Sequence, residues 1–205
     1  VYKRQHVEQP QDMVTQVSNS FRFTTVAFIS FFVFGLLCSC ITSVTQHLPG
    51  YGQSLGYSAA LGAMLLSSGM VGNIISKLII GVLSDHLGAI KATVTMIIAN
   101  TVGIILLMWG STAWLLIIGA FLFGSCYSIG AVALPLLTKY FFGIDNYARV
   151  FPKISFASNL GAAISLSMVG YIYDFFGSYL YAFIIALAMI AVCVITLTLT
   201  AKTKE

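Results

Sequence analysis

Six long apolar runs constrain this chain more than any other feature: 23–44, 57–83, 92–109, 113–138, 154–173 and 179–200. Each spans roughly 18 to 27 residues, enough helix to cross a hydrocarbon layer of about 30 Å. None shows the apolar–polar alternation of a barrel strand, and a segment in lipid must satisfy its own backbone hydrogen bonds, so helix is the expected form. Composition agrees. With 59% hydrophobic and 8% charged residues and a mean hydropathy of +0.95, the chain lacks the polar side chains to cover a water-facing surface. The expected fold class is all-α integral membrane, six transmembrane helices in a lipid bilayer. The expected organisation is a cytoplasmic linker over 1–20, a six-helix domain over 21–200 and a cytoplasmic tail over 201–205.

Basic residues set the expected orientation. Nine of the ten Lys and Arg lie in four segments: Lys3, Arg4 and Arg22; Lys91; Lys139, Arg149 and Lys153; Lys202 and Lys204. An even number of spans puts these segments on one side, while the opposite loops (47–56, 110–112, 174–178) carry no Lys or Arg. By the positive-inside rule both termini are cytoplasmic, and the location is the cell inner (plasma) membrane, multi-pass. The net charge of +4 is a topology signal, not the basic face of a nucleic-acid binder. Pro10, Glu8, Asp12 and the early bases make 1–20 a polar linker. A linker leading into six helices, and a start on Val1 instead of Met, read as a fragment or processed product.

Along the runs, Leu48-Pro49-Gly50-Tyr51-Gly52 is expected to break the first helix after its polar end at Thr42, Ser43, Thr45 and Gln46. Pro135 is expected to kink the fourth. Ala157, Gly161 and Ser165, four apart, should form a narrow packing face on the fifth. The stretch 141–152 mixes aromatics with both charges and is expected to lie along the membrane surface as a short amphipathic piece. Tyr171, Tyr173, Tyr179 and Tyr181 around Asp174 suit an interfacial aromatic belt. The sixth helix, the most uniformly apolar, is expected to face lipid. Cys38, Cys40, Cys126 and Cys193 all sit inside apolar runs. Cys38 and Cys40 point to nearly opposite sides of a helix, so they share neither metal nor disulfide and read as small apolar fillers. No metal or cofactor site is expected.

Chemistry concentrates on one lysine. Lys77 is the only charge well inside an apolar run, eight residues before Asp85, or roughly 12 Å of helix rise from the boundary. Burying it costs a few kcal/mol, so a reason is expected. Side chains lean toward a helix's N-terminus, which here aims Lys77 at the bilayer centre and away from the cytoplasmic headgroups. Two readings remain, a cationic site facing a cavity and a packed or snorkelled lysine. Asn73, one turn earlier on the same face, offers an amide beside the ammonium, a pair suited to one small carboxylate; an interhelical hydrogen bond explains it equally well. No Asp or Glu lies inside any run, so the ordinary side-chain proton carrier is missing. Gly81, Asp85, Gly88 and Lys91 put an acid and a base across a tight turn, where Asp85 either locks two helices through a helix N-terminus and a basic partner or serves only as cap and turn.

Gly81-x-x-x-Asp85-x-x-Gly88-x-x-Lys91 resembles the signature loop of the major facilitator superfamily, with His86 where an Arg or Lys is usual. The resemblance covers essentially the whole chain and implies the C-terminal six-helix half of such a bundle, with an N-terminal six-helix half as its missing partner. Gly72-Asn73-x-x-Ser76-Lys77-x-x-x-Gly81-x-x-Ser84-Asp85 resembles the corresponding helix of the oxalate/formate antiporter and monocarboxylate transporter branch, where an Arg commonly holds the Lys77 position and binds the carboxylate. Lys keeps the charge and loses the bidentate fork. Asn73 stands where animal monocarboxylate transporters tend to carry an Asp linked with proton coupling, which favours the bacterial side of the branch. Gly170-x-x-x-Asp174-x-x-Gly177 is similar to that branch's outer turn.

The resemblance implies a secondary active transporter moving a small organic anion, a mono- or dicarboxylate, by alternating access. Lys77 would attract the anion, Asn73 add a contact and Tyr127 line the path, with Gly81, Asp85, Gly88 and Lys91 as gate. The alternatives are a facilitator of a non-anionic solute with Lys77 structural, or a non-transporting receptor or scaffold. An enzyme is not expected, because no His-Glu-x-x-His, paired intramembrane acids or serine with a membrane-embedded histidine is present.

Overall fold

A backbone surrounded by hydrocarbon has no water to bond, so each crossing must close its own hydrogen-bond ladder. The computed structural model describes residues 26–203. The expected linker over 1–20, Arg22 and the last two tail residues lie outside the described residues. The described residues form helices only: α1 (Val26–Val44), α2 (Leu48–Ser54), α3 (Ala59–Leu87), α4 (Ala89–Trp109), α5 (Ala113–Phe123), α6 (Cys126–Ser128), α7 (Leu134–Phe176) and α8 (Leu180–Lys202). A 3₁₀ turn, Thr45–His47, joins α1 to α2, and a π turn, Ile129–Ala133, joins α6 to α7.

Five helical stretches are long and apolar enough to cross a membrane: Val26–Ser54, Ala59–Leu87, Ala89–Trp109, Ala113–Phe176 and Leu180–Lys202. The difference from the expected six lies in the 64-residue fourth stretch, which as one straight helix would measure about 96 Å. It is not straight. Gly143 has φ 76 and ψ 166, outside the helical region, where a side chain would clash and glycine does not. Before Gly143, Tyr127 bonds Thr45 and Phe141 packs edge-on to Phe31. After it, Ser165 bonds the Cys40 carbonyl and His47 reaches that of Leu166. The two limbs therefore run along α1 in opposite directions.

Packing follows small residues. Ala157, Gly161 and Ser165 are buried against α1, the Ser165 hydroxyl donating to the Cys40 carbonyl at 2.8 Å. Where α3 meets α5, a β-carbon on Gly72 would run into the Phe121 carbonyl. Cys38 lies 3.9 Å from Cys193, sulfur to sulfur, while Cys40 turns to the Gly161 carbonyl at 3.3 Å.

Three local expectations are corrected. Leu48 to Gly52 does not break the chain, because Pro49 falls in the first turn of α2, where a missing N–H has no helical partner to lose; the turn comes at Gly56, φ 83. The 141–152 stretch is not a separate piece, since from Ile144 it is continuous with the rest of α7. The last helix does not simply face outward: α8 exposes Ile184 and Ile195 but buries Phe183, Ala186, Ile190, Cys193 and Leu197. Lipid and core are equally apolar, so its composition carries no facing signal. Lys91, Lys139, Arg149, Lys153 and Lys202 all fall at the end of the bundle where α1 begins, and the turns at the other end carry no Lys or Arg.

Candidate functional site

The crossing that contains Tyr127 has an irregular middle. After Phe123 the ladder tightens to three-residue spacing, with Ser125 N–H on Leu122, Tyr127 on Gly124 and Ser128 on Ser125. It then widens to five, Leu134 N–H bonding the Ile129 carbonyl. Pro135 explains the second change, because a proline interrupts the regular ladder by lacking its N–H. Irregular backbone at membrane depth is tolerated only inside protein or beside a watery cavity.

A cavity of about 470 Å³ lies between this crossing, α1 and α7. Ser39, Thr42 and Ser43 line it from α1, Gln46 from the 3₁₀ turn that follows, Tyr127 from α6, and Ala162, Ala163 and Leu166 from α7. The Tyr127 hydroxyl is 2.6 Å from Thr45 Oγ1 and accepts from Gln46 Nε2 at 2.8 Å. Ser39 and Ser158 share a hydrogen bond of 2.5 Å, and Ser43 donates to the Ala162 carbonyl at 3.2 Å. The wall is rich in hydroxyls and carries no formal charge. Sequence reading found Tyr127 and the polar end of the first helix but missed Ser39 and Ser158. The signal for Ser39 was present: 39, 42, 43 and 46 recur with helical period and make one polar stripe in an apolar run.

Lys77 is half-buried on α3 and, among the described residues, makes no hydrogen bond or ion pair. It does not line the 470 Å³ cavity. Its depth is fixed by the parallel packing of α3 and α5. Gly69 abuts Ala120, Gly72 abuts Phe121, and Gly124 abuts the backbone of Asn73. One turn further along both, Lys77 is level with Tyr127 on the neighbouring crossing. Asn73 is half-buried too, its amide nitrogen 4.0 Å from the Met70 sulfur and its carbonyl oxygen buried with no partner among the described residues. A buried amide oxygen without a donor is costly.

The signature-loop residues separate. Gly81 and Asp85 line a second cavity, about 480 Å³, with Ser84, Pro135, Lys139 and Tyr147. Gly88 ends α3 with φ 84, its N–H on the Ser84 carbonyl, and Lys91 is exposed in the first turn of α4. Asp85 and Lys91 form no ion pair among the described residues. Lys139, from a distant crossing, is the base that shares Asp85's cavity. At the opposite end Gly177, φ 67, closes α7 in the left-handed conformation, with Gly170 half-buried and Asp174 exposed before it. Tyr173 and Tyr179 stack at 4.3 Å there. Burial, with Tyr173 and Asp174 beside it, raises the Tyr179 phenol above its ordinary value. Among the described residues no cluster of His, Cys, Asp or Glu could hold a metal ion.

No curated protein matches the chain. A family model described as Major Facilitator Superfamily matches residues 15–205. With an all-helical bundle, long apolar crossings and a discontinuous helix beside a polar cavity already in place, that match means the chain belongs to the Major Facilitator Superfamily and is a multi-pass membrane transporter.

Proposed function

We propose that this chain is the C-terminal six-helix half of a secondary transporter, with both termini cytoplasmic in the plasma membrane, moving a small carboxylate by alternating access, as in the oxalate/formate antiporters. Six crossings result from counting the limbs on either side of Gly143 separately. The observation that carries the anion reading is Lys77: a half-buried lysine with no partner among the described residues, level with Tyr127. An unpaired ammonium at that depth is expensive unless something anionic visits it. Asn73, whose amide oxygen has no partner among the described residues, adds a polar contact one turn away. Asp85, with Gly81, Gly88 and Lys91, gates the cytoplasmic end, and an N-terminal half supplies the facing wall.

A second reading has its own support. The 470 Å³ cavity is lined by hydroxyls, one amide and the apolar Ala162, Ala163 and Leu166, with no charge, as suits a neutral solute with both polar and apolar faces, with Lys77 structural. Uptake of labelled oxalate and formate by cells making the full carrier separates the two. Lys77→Ala should abolish it at unchanged membrane abundance and Lys77→Arg should retain it. An alanine variant that still accumulates either anion at the wild-type rate removes the anion reading.

A further inference from the structure

Each hydroxyl of the cavity wall carries one hydrogen and two lone pairs, and the hydrogens can be followed one by one. Thr42 donates to the Cys38 carbonyl at 2.8 Å, and Ser43 to those of Ser39 and Ala162. Thr45 donates to the Thr42 carbonyl at 2.7 Å. Its single hydrogen is then spent, so in the 2.6 Å contact with Tyr127 the phenol is the donor. Tyr127 in turn has only lone pairs left for Gln46, which must present its amide nitrogen, as it does at 2.8 Å. Ser39 and Ser158 hold two hydrogens between them and use one on each other.

What remains to face the 470 Å³ cavity is lopsided. Thr42 Oγ1, Ser43 Oγ and Gln46 Oε1 keep lone pairs, whereas the hydrogens left over are one on the serine pair and one on the Gln46 amide. Turning Thr42 or Ser43 round to donate forfeits a bond already made. A carboxylate, which only accepts, finds few partners on such a wall; a hydroxyl, which donates, finds several. Lys77 stands outside this cavity, level with Tyr127. The ammonium and the acceptors therefore address different ends of a solute.

We infer that the solute is a polyhydroxylated carboxylate: Lys77 takes its carboxylate, Thr42, Ser43 and Gln46 accept from its hydroxyls, and the apolar Ala162, Ala163 and Leu166 lie along its C–H face. The inference rests on the anion reading above and narrows its substrate class. It also joins the two observations that the rival readings divide, a charged lysine and an uncharged cavity. An acid without hydroxyls leaves the wall's lone pairs unmet, which is how a site built around a hydroxyl rejects the analogue lacking it. Formate and oxalate are then the weaker substrates.

The test uses the full carrier purified in detergent, with potassium propionate, lactate and glycerate as probes. These bear none, one and two hydroxyls on the same three-carbon skeleton. Affinity is read by thermal-shift titration, with potassium chloride and glycerol as controls. In wild type it should rise about fivefold with each hydroxyl. Thr42→Val, which keeps the shape and loses the oxygen, should cut the preference for glycerate over propionate by about fivefold. Ser43→Ala should do the same, and stands in for Thr42→Val if that variant does not fold. Equal affinity for the three acids in wild type, or a preference that survives both substitutions, overturns the inference and leaves the anion reading standing. Glycerol that binds as tightly as glycerate, or failure of all three acids to bind, overturns the anion reading and the inference with it.

Discussion

The tightest contact between crossings is at Gly72, and replacing it with alanine is the sharpest structural test available. A β-carbon there would run into the Phe121 carbonyl oxygen and lie 2.9 Å from its carbon and 3.2 Å from the Phe121 Cα, where ordinary contacts begin at 3.4 Å. All three atoms are backbone, so no rotamer change relieves the clash and α3 must move off α5 by about an ångström or more. A gap of that size forfeits a quarter to a half of each dispersion contact, about 0.1 kcal/mol per atom pair, over some tens of pairs. Adding the strain of an overpacked site gives a loss of about 1–3 kcal/mol. Gly81→Ala is the internal control: it lies on the same helix and its β-carbon would meet nothing within 4 Å. That variant should be neutral or gain up to about 1 kcal/mol from helix propensity. Reversible unfolding in mixed micelles, followed by circular dichroism, measures both. Equal stability of the two variants would show that α3 and α5 do not approach as closely as described.

Two further outcomes are expected. Tyr127→Phe removes the hydroxyl joining Thr45 and Gln46, which should cost about 1 kcal/mol of stability in the same unfolding assay and weaken oxalate binding in a thermal-shift titration; unchanged affinity would take Tyr127 off the solute path. Gly143→Ala puts a β-carbon on a residue with φ 76 and should destabilise by about 1–2 kcal/mol, although nothing lies within 4 Å of the new carbon; a neutral result would mean that the chain does not turn back there in a left-handed conformation.

The crossings were legible because lipid leaves a long apolar run only one backbone solution. Their boundaries were less so. Pro49 reads as a breaker, yet a proline in a first helical turn breaks nothing. Gly143 sits among aromatics in a segment that reads as helix on both sides, and its positive φ is a tertiary requirement invisible in the local pattern. Lys77 stood out because a lone charge in hydrocarbon is conspicuous in one dimension. The polar wall stood out only in part: the stripe on the first helix is legible, but the meeting of Ser39 with Ser158 across 119 positions is not. That meeting depends on the register in which Gly161 seats against the Leu36 carbonyl. Close packing sets such a register, and no periodicity within a single helix reports it.

The irregular ladder of residues 124–134 has a consequence for motion as well as for shape. In a regular helix each carbonyl is bonded four residues on, and bending one turn strains several good bonds together. Here spacings of three and then five already replace that pattern, and Pro135 removes a further donor. On one side Gly124 is wedged against α3 at Gly69 and Asn73, while on the other a β-carbon at Gly130 would meet nothing within 4 Å. The segment is packed against α3 at Gly124 and open at Gly130, and its irregular spacing makes its hydrogen bonds cheaper to rearrange than those of a regular turn. Tyr127 rides on it, tied to the 3₁₀ turn after α1. Any bend in this crossing therefore moves the wall of the cavity itself, and under the function proposed above the part of the bundle best suited to flex is also the part that meets the solute.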